Sequence, residues 1–287
     1  MKYQFMRFPG GKPKAVTFSY DDGFRTDLQL LEVINRYGIK STFNITGGVL
    51  KAQPKGDFLT VDDVQKYILD AGHEVAVHGM QHRAPGTQRA VQGIQDVLNC
   101  RLGLEKAFHR MIRGMAYPDT GITRFANGTQ YATVRNYLQE LDIVYARTLR
   151  ADNTEFLMPD DWYAWTPSVH HANPNALAYA QEFTRLEIPA YIARRFPRLF
   201  YLWGHSFEFD HANNWDLLEQ LCAELGNRED TWYATNIEIY EYTQAYNSLV
   251  YSADNTRIYN PTLYQIWFER DGVGYTIASG ETLVMQD

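Results

Sequence analysis

Four places in this sequence put acids or imidazoles directly after a short apolar run. Asp21-Asp22-Gly23 follows AVTFSY, and His78 and His82 follow EVAV. Tyr117-Pro118-Asp119 come after the run that starts at Met111, and Gly204-His205 after LFYLW. Each is weak alone: Asp-Asp-Gly is a common turn, and a lone pair of histidines is as often structural. Their recurrence at the same end of successive strands is the stronger signal. Adjacent residues at a strand end point in different directions, so one carboxylate can ligate a metal while its neighbour faces a water. His78 and His82 are four apart, and one helical turn would put both imidazoles on one side. Two imidazoles and a carboxylate with an open position form the donor set of a catalytic zinc site.

The elements that must position these groups alternate along the chain. Apolar, β-branched runs predict strands at 15–20, 41–45, 74–77, 111–115, 143–146, 199–203 and 231–239. Amphipathic stretches with caps predict helices at 26–37, 60–71, 87–107, 129–141, 175–185 and 214–225. Repeated strand–helix units imply a parallel sheet, and this many in one series favour a barrel, whose site lies at the C-terminal strand ends. From about Ser248 the pattern changes to short strands at 249–251, 263–268, 274–277 and 282–285, separated by Asn, Asp and Gly turns. The expected fold is α/β: a distorted (β/α) barrel domain over 1–246 and a small antiparallel β appendage over 247–287.

The ordered set Asp21-Asp22-Gly23, His78-x-x-x-His82 and His205 resembles the polysaccharide deacetylase family, the NodB-like carbohydrate esterase family 4. The flanking GIKSTFNIT and AGHEVAVHGMQH fit it too, and the resemblance covers roughly residues 14–245. It implies a distorted (β/α) barrel, and a metal held by Asp22, His78 and His82. Zn²⁺ leads, with Co²⁺ or Ni²⁺ also suited to these ligands. It further implies Asp21 as general base and His205 as general acid, oriented by a carboxylate. Removal of acetyl groups from N- or O-acetylated carbohydrate is the activity that follows.

Departures from the family pattern leave alternatives. Gly79 stands where the family prefers Ser or Thr, so a side chain that could brace the loop is missing. The third motif matches through Pro118, with Asp119 as oxyanion N–H donor, or through Arg113 and Tyr117. The fourth has two registers: Asp161 to Trp165, which supplies Asp161 as partner of His205 and Trp165 as a wall, or Asp161-Trp162 with Met158 at the first position. At the fifth, Trp203 or Leu202 takes the place of the acetyl-pocket leucine. His170-His171 has no assigned role.

Composition bounds the rest. Hydrophobic residues are 45% and charged residues 21% of 287, ordinary globular values that exclude disorder. A net charge of −7 argues against a general nucleic-acid binder. No apolar run approaches the ~20 residues of a membrane span. The N-terminal MKYQFMRFPGGKPKAV has no apolar signal region; the expectation is a cytoplasmic location, or export if a signal has been removed, and for a cytoplasmic protein a small imported or recycled acetylated sugar as substrate. Oligomeric state is left open. Two other activities are weighed: a cytosolic, allantoinase- or imidase-like hydrolase of small cyclic amides on the same fold, and a non-catalytic carbohydrate-binding protein.

Overall fold

The computed structural model describes residues 2–54, 56–149 and 153–285. Seven strands form a curled parallel sheet: β2 (Lys14–Asp22), β3 (Ser41–Ile45), β4 (Glu74–Val77), β5 (Gly114–Ala116), β6 (Tyr145–Arg147), β7 (Val169–His170) and β8 (Arg198–Gly204). Their order is β6-β5-β4-β3-β2-β8-β7, and β9 (Thr231–Tyr233) adds to the lower part of β2. β6 and β7 are not paired with each other, so the sheet is a half-barrel within the (β/α) barrel class. Helices α1 (Asp27–Arg36), α2 (Val61–Asp63), α3 (Ala90–Phe108), α4 (Tyr131–Glu140), α5 (Ala176–Arg185), α6 (Phe207–Ala212) and α7 (Trp215–Leu225) occupy the crossovers. α2 runs on as a π-helical turn at Val64–Leu69. No described helix is long and apolar enough to cross a membrane.

Strand periodicity divides β2 into two columns. Val16, Phe18 and Tyr20 join the large apolar core with Leu30 and Ile34 of α1 and Leu218 of α7. The alternate column reads Ala15, Thr17, Ser19, Asp21, and all four are buried. Small and polar groups thus line the inner face. Tyr145, Tyr201 and Trp203, three of the aromatic members of the second core, come from the matching columns of β6 and β8. Many of the buried polar groups there hydrogen-bond one another. Thr17 donates to Asn236, which donates to Tyr201, and Asn44 donates to Ser19 and Asp21. Deeper, Glu74 accepts from Thr42, Tyr145 and the main-chain N–H of Ile237.

Only the first third of the expected strand at 231–239 is present. β9 ends at Tyr233, and α8 (Asn236–Asn247) begins two residues after the chain leaves Ala234. Thr235 and Glu238 form a reciprocal capping box, which starts the helix and overrides the β-branched run. Beyond it lie β10 (Val250–Tyr251), β11 (Arg257–Tyr259), β12 (Ile266–Arg270), β13 (Val273–Ile277) and β14 (Thr282–Val284). They form two antiparallel three-stranded sheets. One of them includes β1 (Gln4–Arg7), paired with β12. The N-terminal strand therefore belongs to the same sheet as residues 266–277. Cys100 and Cys222 are separate buried thiols.

Burial pushes the Glu74 carboxyl up to about 7, against the opposing pull of its three donors. An acid raised in the folded state favours folding below its unfolded pKa and loses that advantage as pH rises to its folded one. Glu74 therefore withdraws on the order of 3 kcal/mol of stability between about pH 4.5 and 7. Glu74→Gln keeps an acceptor and a donor in place but cannot ionise. Urea unfolding at pH 5 and pH 8 will show a smaller loss of stability with rising pH in Glu74→Gln than in wild type.

Candidate active site

The inner columns of five strands, followed to their C-terminal ends, arrive at one place. β2 delivers Asp21, β3 Asn44, β4 leads to His78, β6 ends in Arg147 and β8 leads through Trp203 to His205. Asp21 is 1% exposed. Asn44 Nδ2 donates to one of its oxygens at 2.8 Å, and the fully buried Arg147 forms a hydrogen-bonded ion pair with the other. Arg147 also lies over the Trp203 ring, 4.2 Å from its centroid.

Asp22 belongs by parity to the opposite column. Its backbone is left-handed, φ 77°, an uncommon state for a non-glycine residue, and this turns its carboxylate back into the site. Gly23 continues the turn at φ 79°, where an added Cβ would lie 2.9 Å from Ile45 Cδ1. Asp22 Oδ1 then sits 3.2 Å from His82 Nε2 and 3.5 Å from His78 Nε2. The expected helical turn between the two histidines is absent. Residues 78–82 form an irregular loop with Gly79 at φ 74° and His82 at φ 53°, and that path brings the ring centroids to 4.9 Å.

This trio fits a divalent metal. One donor atom from each of Asp22, His78 and His82 lies within 4.8 Å of the others. His78 Nδ1 is 3.0 Å from the Ala116 carbonyl, which can only accept, so the ring proton sits there and the Nε2 lone pair faces the carboxylate. Burial holds the His78 pKa low, which keeps it neutral. For Asp22, burial acts to raise the pKa, but His82, His78 and His205 outweigh it and hold the carboxyl low. His82 is raised by its hydrogen bond to Asp22.

His205 approaches from the other side, with Nε2 at 4.0 Å from both Asp21 and Asp22. Its partner is not Asp161. That residue accepts the Tyr131 hydroxyl and the Tyr163 N–H, capping a short 3₁₀ turn. The partner is Glu208, in the first turn of α6, whose carboxylate lies 3.3 Å from His205 Nδ1 and accepts the His205 main-chain N–H. His171 Nε2 at 3.0 Å and His170 Nε2 at 3.4 Å share the same carboxylate. Burial works to raise the Glu208 pKa, yet three imidazoles hold it far below the usual carboxylate range. Burial works to lower His205, and Glu208 and Asp21 override it, so its pKa is raised. His170, His205 and Glu208 are also close enough to surround an ion. However, Ala172 N–H donates to His170 Nδ1, so His170 Nε2 carries the proton and presents no lone pair.

Other expected site residues fall outside the centre. Tyr117 is buried, its N–H donates to the Arg147 carbonyl and its hydroxyl to that of Tyr163, so it is no oxyanion donor. Asp119, left-handed at φ 52°, has an N–H with no partner among the described residues and remains the candidate. Arg113 faces Glu241 instead of Asp21. Trp165 is completely buried against Tyr145, Tyr201 and Trp162, and so is part of the core, not a wall. Leu202 faces the helices, whereas Trp203 faces the site, 4.5 Å from His170 and 6.0 Å from His205 between ring centroids. Arg147 and Glu208 were not anticipated in these roles. Arg147 is the residue that directly follows the predicted strand 143–146, so the rule that found the other groups would have found it. Glu208 lies one helical turn after His205.

Residues 9–146 match the family model described as polysaccharide deacetylase. A putative polysaccharide deacetylase from Mycobacterium smegmatis is 18% identical over 84% of this chain and 93% of its own, with a TM-score of 0.52. A family 4 acetyl xylan esterase from Clostridium thermocellum, in complex with cobalt, is 15% identical over 80% and 92%, with a TM-score of 0.50. The chain spans 54% of the Streptococcus pyogenes deacetylase PplD, using 46% of its own length, at 16% identity and a TM-score of 0.40. A search of curated proteins gave no match. The family-model match thus covers the first part of the barrel, and the half-barrel as a whole shares the fold of the solved polysaccharide deacetylase and family 4 esterase structures.

Removing one partner of a buried ion pair leaves an uncompensated charge, at a cost of about 3–5 kcal/mol. Arg147→Met will therefore lose stability of that order in urea unfolding at pH 8. A loss below about 1 kcal/mol would mean that Asp21 does not depend on Arg147.

Proposed function

We propose that this protein is a metal-dependent hydrolase that removes acetyl groups from an N-acetylated carbohydrate. The observation that carries the reading is the arrangement on two sides of Asp22-His78-His82. Asp21 is fixed by Arg147 and Asn44 on one side, and His205 is backed by Glu208 on the other.

Asp22, His78 and His82 would hold a divalent cation, which when bound supplies Lewis acidity toward the acyl oxygen and acidifies water. Asp21 accepts the proton of the attacking water. Its oxygens are already held by two donors, so it does not reorient on doing so. The Asp119 N–H is available to the developing oxyanion. His205 carries a proton on Nε2, kept there by Glu208 behind the ring, and delivers it to the departing nitrogen. The C–N bond breaks, the acyl group takes the water oxygen, and acetate and a free amine result. An amine leaves only with that proton, so a strongly supported imidazolium suits an amide better than an ester. His170, packed edge-on against the buried Trp203, stands beside His205 and is the ring that a sugar would meet.

Acetate release from N-acetylglucosamine and its short oligomers, with Zn²⁺ or Co²⁺ restored to chelated enzyme, tests the reading. Asp21→Asn will keep stoichiometric metal and lose about 10²–10⁴ in kcat. Full activity in that variant assigns the base elsewhere, and no acetate from any acetylated sugar overturns the function.

A further inference from the structure

The loop that carries the two imidazoles lacks a side chain at position 79, yet it is held on both sides. Gly47 and Gly48 donate their N–H groups to the carbonyls of Gly79 and Met80 at 3.0 and 2.9 Å. On the opposite side stands Asp96, midway along α3 and 8% exposed. Its Oδ2 accepts the Met80 N–H at 3.1 Å, and its Oδ1 accepts the Gln81 N–H at 2.8 Å. Both N–H groups lie between His78 and His82. A Cβ at Gly79 would come within 2.6 Å of Asp96 Oδ2. A side chain at 79 and the carboxylate at 96 thus compete for one space, and here the helix fills it.

We propose that Asp96 is a positioning residue for the metal ligands. Its carboxylate clamps the two amides of the loop, and so sets the distance and relative tilt of the His78 and His82 rings. This rests on the reading of Asp22, His78 and His82 as a metal site. The argument is one of chemistry and span. Two adjacent N–H groups that diverge from a left-handed glycine need two acceptor atoms held a fixed distance apart, and a carboxylate is the side chain that offers them. No other described side chain accepts from either amide. Without the clamp, the left-handed loop loses the donors' partners and the rings lose their common aim at Asp22.

Metal affinity separates this role from general stability. Zn²⁺ affinity is measured by chelator competition, and the visible spectrum of the Co²⁺-loaded protein reports ligand geometry. Asp96→Asn, nearly the same shape, replaces one acceptor by a donor that faces an N–H. It will weaken Zn²⁺ binding by about 10–100-fold, as loss of an outer ligand support does, and will change the Co²⁺ spectrum. Gly79→Ser alone will also weaken binding. In a cycle of Asp96→Ala, Gly79→Ser and the double variant, the double variant's loss will be smaller than the product of those two single losses, because the two side chains no longer collide. Wild-type affinity and an unaltered Co²⁺ spectrum in Asp96→Asn overturn the proposal while leaving the metal site intact. A fall in apo-protein melting temperature without a change in affinity overturns it as well. Wild-type protein that takes up no stoichiometric metal overturns the metal-site reading itself, and the role of Asp96 with it.

Discussion

A carboxylate buried inside a half-barrel must be compensated, and much of this molecule follows from doing so for Asp21. Removing such a charge from water costs several kcal/mol even after relaxation. Arg147 supplies the counter-charge and Asn44 a neutral donor, and both lie on the inner faces of their strands. Arg147 is itself entirely buried, so it in turn needs Trp203 beneath it and the Thr148 carbonyl on its second nitrogen. The inner face is therefore polar near the site and stays polar below it, through Ser19, Thr17, Asn236 and Glu74. A barrel filled with branched aliphatics would have left these groups nothing to bond to.

Parity does the rest. In a parallel sheet each strand sends every second residue inward, and neighbouring strands end at similar heights. Asp21, Asn44, His78, Arg147 and Trp203 arrive together for that reason alone. Asp22 is the exception, and its left-handed backbone is the device that recovers it. Two adjacent carboxylates then serve one site, one dry and cationically paired, the other open to the imidazoles. That difference in surroundings is what would divide the labour between them in the proposed hydrolysis.

The strand ends were legible in the sequence because apolar runs and their following residues are local features. Asp21, Asp22, His78, His82 and His205 needed no more than that. The partner of His205 was misplaced because the fourth motif was sought as a linear pattern, whereas the supporting acid sits on the turn after His205 itself. The burial of Trp165 has no sequence signature, because an aromatic residue near a motif has no visible orientation until the fold is known. The helix after β9 was obscured by a β-branched run, although the Thr235–Glu238 pair was there to be read. The pairing of β1 with β12 spans nearly the whole chain, and no local pattern encodes it.

That pairing also bears on how the chain is made. Residues 4–7 leave the ribosome more than 250 residues before the strand they match, 266–270. Asn236, which bridges Thr17 and Tyr201 inside the barrel, is likewise a late arrival. During translation the early strands can form their helix-facing core, but the inner face waits with unbonded hydroxyls and an unmatched first strand. Closure of the lower end thus waits on distant sequence: the nascent polypeptide acquires its finished interior only once residues 236–270 are free to fold back.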